Sequence, residues 1–278
     1  ALGCDPDRAL CGLPRVGARM MGGALVTGGG ARLGRAMALY LAGRGYDVAV
    51  HYAASADGAN ETVAAIKAMG RQATALQADL LDTAATDGLV RRAVDSIVSL
   101  RVMVNNSSIF EHDTLETATQ ASWDRHLGSN LRAPVFMTQA FAEQVPDPVT
   151  DDHCEPVAQA LVVNMLDQRV HKLTPEFMTY TLAKMGLWAF TRTAAQGLAP
   201  RVRVNGIGPG PTLQGGRQSA EHFAAQRAAT VLERGVNPDD ITAALGYFLD
   251  AKAVTGQMIA VDGGQHLGWQ TPDVLGVE

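Results

Sequence analysis

Apolar and polar positions along the chain follow two alternating patterns. Short, nearly continuous apolar runs, the mark of strands buried on both faces, recur between longer stretches with apolar residues at helical spacing. Residues 24–27 (ALVT), 47–52 (DVAVHY), 72–77, 102–104, 160–165 (ALVVNM), 202–207 and 257–261 read as strands. Residues 34–45, 55–69, 83–96, 123–144, 175–198 and 238–249 read as helices, the first closed by Gly45 and the second stopped at Gly70. Strands alternating with helices predict an α/β fold: a Rossmann-type, doubly wound parallel sheet of about seven strands with helices on both faces.

No shift in composition separates a second domain, so residues 20–278 are expected to form one domain. Residues 1–19 lack the apolar core of a secretory signal and read as a disordered extension. Two irregular stretches interrupt the alternation: a polar insertion at 146–156, and a Gly/Pro-rich segment from Pro209, whose continuation over about 211–227 is expected to cover a substrate. A net charge of −5 offers no basic field for nucleic acid or anionic lipid. No apolar run approaches the roughly 20 residues that span a bilayer. Cys4, Cys11 and Cys154 are odd in number and widely spread, which argues against a disulfide framework or a zinc site and for a reducing cytoplasm.

Chemistry enters at the first strand–helix junction, Thr27-Gly28-Gly29-Gly30-Ala31-Arg32-Leu33-Gly34. Glycines let a backbone approach a pyrophosphate, and a helix N-terminus offers unpaired N–H groups and a positive dipole. The second strand ends in His51-Tyr52-Ala53-Ala54-Ser55, without the carboxylate that holds the ribose hydroxyls of NAD. Arg32 and Ser55 suit a 2′-phosphate instead, so NADPH is the expected cofactor. Asp79, followed by Leu80, stands where it can accept a bond from an adenine amino group, or simply cap a helix. Further along, Tyr180 and Lys184 lie one helical turn apart on one face, a spacing at which an ammonium favours a phenolate.

In that order the glycine turn, Asp79, Asn105-Asn106, Asn130, Tyr180/Lys184 and Pro209-Gly210 resemble the short-chain dehydrogenase/reductase family over residues 22–268. The resemblance implies that Tyr180 transfers a proton, that Lys184 lowers its pKa and holds the nicotinamide ribose, and that Asn130 supports a water relay. It also implies that Gly28, Leu33, Gly34, His51, Tyr52, Leu80, Asn106, Ser107, Pro209 and Gly210 line the cofactor site. A homotetramer is implied as well.

Three departures narrow the resemblance. Asp167 stands thirteen residues before Tyr180, where the family carries serine; Arg32 replaces a glycine; and Asn105-Asn106-Ser107-Ser108 replaces the usual NNAG. Together they are similar to the pteridine reductase branch, which includes dihydromonapterin and dihydrofolate reductases of this fold. There Asp167, Arg32, Ser108, Phe110 and Tyr180 would meet the substrate, Phe110 by stacking on a flat pterin. The expected reaction is reduction of a dihydropterin or dihydrofolate to the tetrahydro form. The alternatives are a carbonyl reductase of the same family and a non-catalytic NADPH sensor.

Overall fold

A computed structural model describes residues 22–216 and 218–271, and the expected N-terminal extension lies outside them. Seven parallel strands form the sheet: β1 (Gly23–Val26), β2 (Asp47–Tyr52), β3 (Ala73–Gln77), β4 (Leu100–Asn105), β7 (Ala160–Met165), β8 (Val202–Pro209) and β9 (Met258–Val261). Their order is β3-β2-β1-β4-β7-β8-β9, every neighbouring pair parallel. The intervening helices are α1 (Arg32–Gly43), α2 (Ala56–Ala68), α3 (Thr83–Ser96), α4 (Gln120–Leu127), α5 (Ala133–Gln144), α6 (Met178–Leu198), α7 (Ala220–Ala228) and α8 (Pro238–Asp250). No described helix is long and apolar enough to cross a membrane.

The period-two geometry of a strand sends alternate residues into two cores. Ala24, Val26, Val48, Val50, Val102 and Val104 pack with Met37, Leu41 and Phe248 of α1 and α8. Their neighbours Leu25, Ala49 and Met103 join Leu89, Met137 and Phe141 of α3 and α5 in the other cluster. Because the strand order reverses between β1 and β4, a crevice opens at the carboxyl ends of these two strands. The glycine turn and Asn106–Ser108 meet there.

Three segments depart from the sequence-based expectation. The stretch expected as one helix over 123–144 divides into α4, a π-helical turn (Gly128–Arg132) and α5. Pro134, in the first turn of α5, has no N–H to return to the carbonyl four residues back, and the wider turn accommodates it. The polar insertion forms a small antiparallel pair, β5 (Val149–Thr150) with β6 (Pro156–Val157). Cys154 beside it is disulfide-bonded, contrary to the expectation from cysteine spacing, and its partner lies outside the described residues. Separation along a chain does not determine proximity in a fold. Within the expected covering segment, α7 carries no buried residue and so left no apolar stripe to read.

Phe141 and Phe248 are fully buried, one in each cluster. Phe141→Ala and Phe248→Ala are each expected to lower unfolding free energy by about 3–5 kcal/mol in urea titrations. A loss below about 1 kcal/mol at either site would show that its cluster relaxes around the cavity.

Candidate active site

The crevice is a cavity of about 930 Å³, running from Tyr52, Ser55 and Asp79 past the glycine turn to Asp167 and Pro209. Gly34 has no room for a side chain, since a Cβ there would sit 2.0 Å from the Gly28 carbonyl oxygen. Gly28 takes a left-handed backbone (φ 63°). Thr27 ties the turn to the end of β4: its hydroxyl oxygen accepts the N–H groups of Asn106 at 2.8 Å and Ser107 at 2.9 Å. The Asn106 side chain donates to the Thr27 carbonyl at 2.8 Å. No side chain caps α1, so its first-turn N–H groups, from Arg32, Leu33 and Gly34, present partial positive charge at the cavity. Ser55, the N-cap residue of α2, likewise makes no capping bond and lines the cavity. An uncapped helix N-terminus behind a cradle that excludes a Cβ fits a dinucleotide pyrophosphate.

Several of the expected cofactor residues line the cavity while already bonded within the chain. His51 is buried, its Nδ1 accepting the Gly28 N–H at 3.1 Å and its Nε2 bonded to the Ala78 carbonyl at 3.0 Å. It braces the glycine turn from beneath. Asp79 accepts the Leu81 N–H at 2.9 Å within the turn before α3, whose cap is Asp82, and lies at the cavity with Leu80. Asn105 belongs to the core: it donates across the sheet to Asn164 at 2.8 Å. Arg32 occupies its glycine position with φ 51°, a strained conformation for a side-chain-bearing residue. Its guanidinium donates to the Leu213 and Gln214 carbonyls, each at 3.0 Å, latching the segment after β8 over the cavity. Pro209 and Gly210 line the same wall.

At the other end, β7 delivers Asp167 and the first turn of α6 delivers Tyr180. The Tyr180 hydroxyl donates to Asp167 Oδ2 at 2.8 Å, while Oδ1 accepts the Arg169 N–H at 2.8 Å. Asp167 is thus both a loop cap and Tyr180's partner. Lys184 Nζ donates to the Met165 carbonyl at 2.7 Å. Burial dominates the electrostatics. It raises the Asp167 pKa against its hydrogen-bond donors and the charges of Arg169 and Lys184. Burial, then the Asp167 charge, raises Tyr180 well above its ordinary value. Burial lowers Lys184 to about 8. Where the resemblance implies a Tyr180 pKa lowered by Lys184, the shift is upward: desolvation and Asp167 outweigh Arg169 and Ser108.

Asn130 is anchored to the segment after β4. Both ends of its amide are taken by Ile109, accepting its N–H at 2.9 Å and donating to its carbonyl at 2.8 Å. Ser108 lines the cavity near Tyr180, and its hydroxyl works to lower the Tyr180 pKa. Phe110, 45% exposed, stacks one face on Phe177 at 4.3 Å and lies perpendicular to Tyr180 at 4.7 Å. The sequence reading missed Phe177, although its place three residues before Tyr180 was a signal. It also missed Arg169, whose guanidinium lies 4.9 Å over the Phe177 ring.

The comparisons with known proteins agree with this geometry. A family model described as Enoyl-(Acyl carrier protein) reductase matches residues 30–266. The chain is 42% and 41% identical to solved structures of FolM alternative dihydrofolate reductase 1 from Brucella suis and Brucella canis, both complexed with NADP. Their TM-scores are 0.84 and 0.82, covering 91% of this chain and 98% and 97% of theirs. A curated relative, the 3-oxoacyl-(acyl-carrier-protein) reductase of Staphylococcus aureus, is 30% identical over 90% of this chain and 100% of its own length.

The raised pKa of Asp167 carries a consequence for stability. The folded chain keeps this proton at pH values where the unfolded chain has lost it, so the group weighs against folding as pH rises past 3.8. Asp167→Asn keeps the shape and removes that penalty. It is expected to raise the melting temperature at pH 8, with the gain shrinking toward pH 4. A lower melting temperature at pH 8 would show instead that the donors around Asp167 stabilise its carboxylate.

Proposed function

The chain belongs to the short-chain dehydrogenase/reductase family, and on that premise we propose that it reduces a dihydropterin to the tetrahydropterin with NADPH. The observation that carries the reading is the hydrogen-bonded Tyr180–Asp167 pair beside the half-exposed ring of Phe110. A ketone reductase needs a neutral hydroxyl to steady a carbonyl oxygen; reduction of a pterin imine places hydride on carbon and a proton on ring nitrogen. A carboxyl with a raised pKa is suited to the second task.

The fit to NADPH rests on the cradle. The amides at the start of α1 would hold the pyrophosphate, and Ser55 with the uncapped N-terminus of α2 would hold the 2′-phosphate, with Arg32 nearby. Bound there, NADPH supplies the hydride. The chain's own residues do the rest. The Tyr180 hydroxyl gives its proton to the ring nitrogen and is resupplied by Asp167 in its protonated form. Lys184, fastened to the Met165 carbonyl, keeps a cation beneath the Tyr180 ring, 5.6 Å from its centroid. Phe110, its other face against Phe177, offers a flat surface for the pterin. The NADP complexes of the Brucella structures support the cofactor, and their dihydrofolate reductase description supports the substrate.

A second reading, reduction of a 3-oxoacyl thioester, is favoured by one observation: Ser108 lines the cavity near Tyr180 and offers a hydroxyl to a carbonyl oxygen. The Staphylococcus aureus relative points the same way. The reading also includes a homotetramer, supported by Trp123, Phe136, Leu182 and Tyr247, which expose 42% to 51% of their surface on α4, α5, α6 and α8. Light scattering is expected to give four times the 29.3 kDa chain mass.

The deciding assay follows NADPH absorbance with dihydrobiopterin, dihydromonapterin, dihydrofolate and an acetoacetyl thioester. Oxidation is expected with at least one pterin; oxidation with the thioester alone overturns the proposal, and NADPH binding without turnover favours a sensor. Asp167→Ser is expected to cut pterin turnover at least about tenfold, the loss of one proton-transfer partner. An unchanged rate would leave Asp167 a structural cap.

A further inference from the structure

His126, on α4, is completely buried, and both its ring nitrogens are engaged. Nε2 accepts the N–H of Glu111 at 3.1 Å. An amide only donates, so Nε2 carries no proton and Nδ1 does. Nδ1–H faces the Thr179 hydroxyl oxygen at 2.7 Å, and that hydroxyl in turn donates to Asp113 Oδ2. Asp113 also accepts the Thr179 N–H on Oδ1 at 3.1 Å and the Met178 N–H on its backbone carbonyl at 3.2 Å. The bonds therefore run in one direction, from Glu111 through His126 and Thr179 to Asp113.

This relay joins the two sides of the active site. Glu111 and Asp113 follow directly on Ser108 and Phe110, and Thr179 directly precedes Tyr180. Asn130 grips Ile109 from the same helical region, so Phe110 is held between two anchored neighbours. The His126 ring also lies edge-on to Tyr180, centroids 6.1 Å apart.

We propose that His126 is a positioning residue for the reduction: as the neutral Nδ1–H tautomer it sets Phe110 against Tyr180, and on gaining a second proton it releases the segment that carries Phe110. A protonated Nε2 would point a hydrogen at the Glu111 N–H, two donors face to face, and that anchor would be lost. The groups facing the ring are the carboxylates of Asp113 and Glu111, the Arg125 guanidinium, the Thr179 hydroxyl and the Tyr180 ring. Burial, aided by Arg125, outweighs the two carboxylates and lowers the His126 pKa, so the neutral form persists through neutral pH. For Asp113, burial works toward a higher pKa but the two Thr179 donors prevail, and it stays a carboxylate that accepts from Thr179. Release belongs below pH 6.5, the ordinary histidine value.

The role of Phe110 and Tyr180 rests on the pterin reading; the hydrogen-bond relay does not, and the experiment separates the two. Wild type, His126→Gln and His126→Phe are compared, with NADPH titration reporting that each is folded. Gln can accept from Glu111 and donate to Thr179 without titrating. Amide exchange over residues 108–113, corrected for intrinsic rates, is followed from pH 7.5 to 5. Wild type is expected to lose protection on acidification, His126→Gln to keep it, and His126→Phe to lack it throughout. In the same pH series kcat/KM for the dihydropterin is expected to fall between about 10- and 100-fold in His126→Phe, the usual cost of misplacing a reacting group, chiefly through KM. His126→Gln restores most of this and loses the acidic limb. An acidic limb that survives in His126→Gln, or wild-type protection in His126→Phe, overturns the proposal. If no variant turns over a pterin, the functional reading fails while the exchange data still decide the role of His126. If His126→Phe does not bind NADPH, exchange in His126→Gln decides it.

Discussion

The site is organised around the hydrogen bond from the Tyr180 hydroxyl to Asp167, made at the wall of the cavity. Desolvation raises both pKa values, Tyr180's well above its ordinary value, and so favours the protonated forms that a proton donor requires. Two elements must meet to make it: the end of β7, which supplies Asp167, and the first turn of α6, which supplies Tyr180. Lys184 reinforces the same junction by donating to Met165, two residues before Asp167. The register of α6 on β7 thus sets the chemistry.

Around that junction the fold places polar groups where an apolar core would be more stable. Lys184 is buried with its pKa lowered to about 8, desolvation works against the Asp167 carboxylate, and Asn105 keeps a buried Oδ1 with no hydrogen-bond partner among the described residues. These costs are carried by the two apolar clusters flanking the sheet. The left-handed backbone of Arg32 is a further cost, offset by a latch to Leu213 and Gln214 that no glycine can make.

Much of the fold was legible because a parallel sheet buried on both faces leaves continuous apolar runs. Residues 83–96 and 160–165 were bounded as observed, since a capping Asp82 marks one and an uninterrupted apolar run the other. The division of the 123–144 helix was not legible, because it reflects a π-helical turn that the apolar pattern does not record. α7 was not legible because it buries nothing. In the site, spacing on one helix face paired Tyr180 with Lys184, and the family resemblance singled out Asp167. His51 lines the cavity, but the engagement of its ring by Gly28 and Ala78 was not legible, because those contacts join residues 23 and 27 positions apart.

By itself, the sequence determined the residue types and the order in which they arrive: a glycine turn after the first strand, no carboxylate after the second, and Asp167 in register with Tyr180. Those are local facts, written in spacing and backbone preference. The tertiary structure alone decided which of these groups are dry, which are already bonded, and which face each other. It made Tyr180 a proton holder where sequence spacing implied a depressed pKa, and it turned His126 from an unremarked histidine into the link between Phe110 and Tyr180. The physical reason is that desolvation and hydrogen-bond direction depend on what distant segments bring to one point.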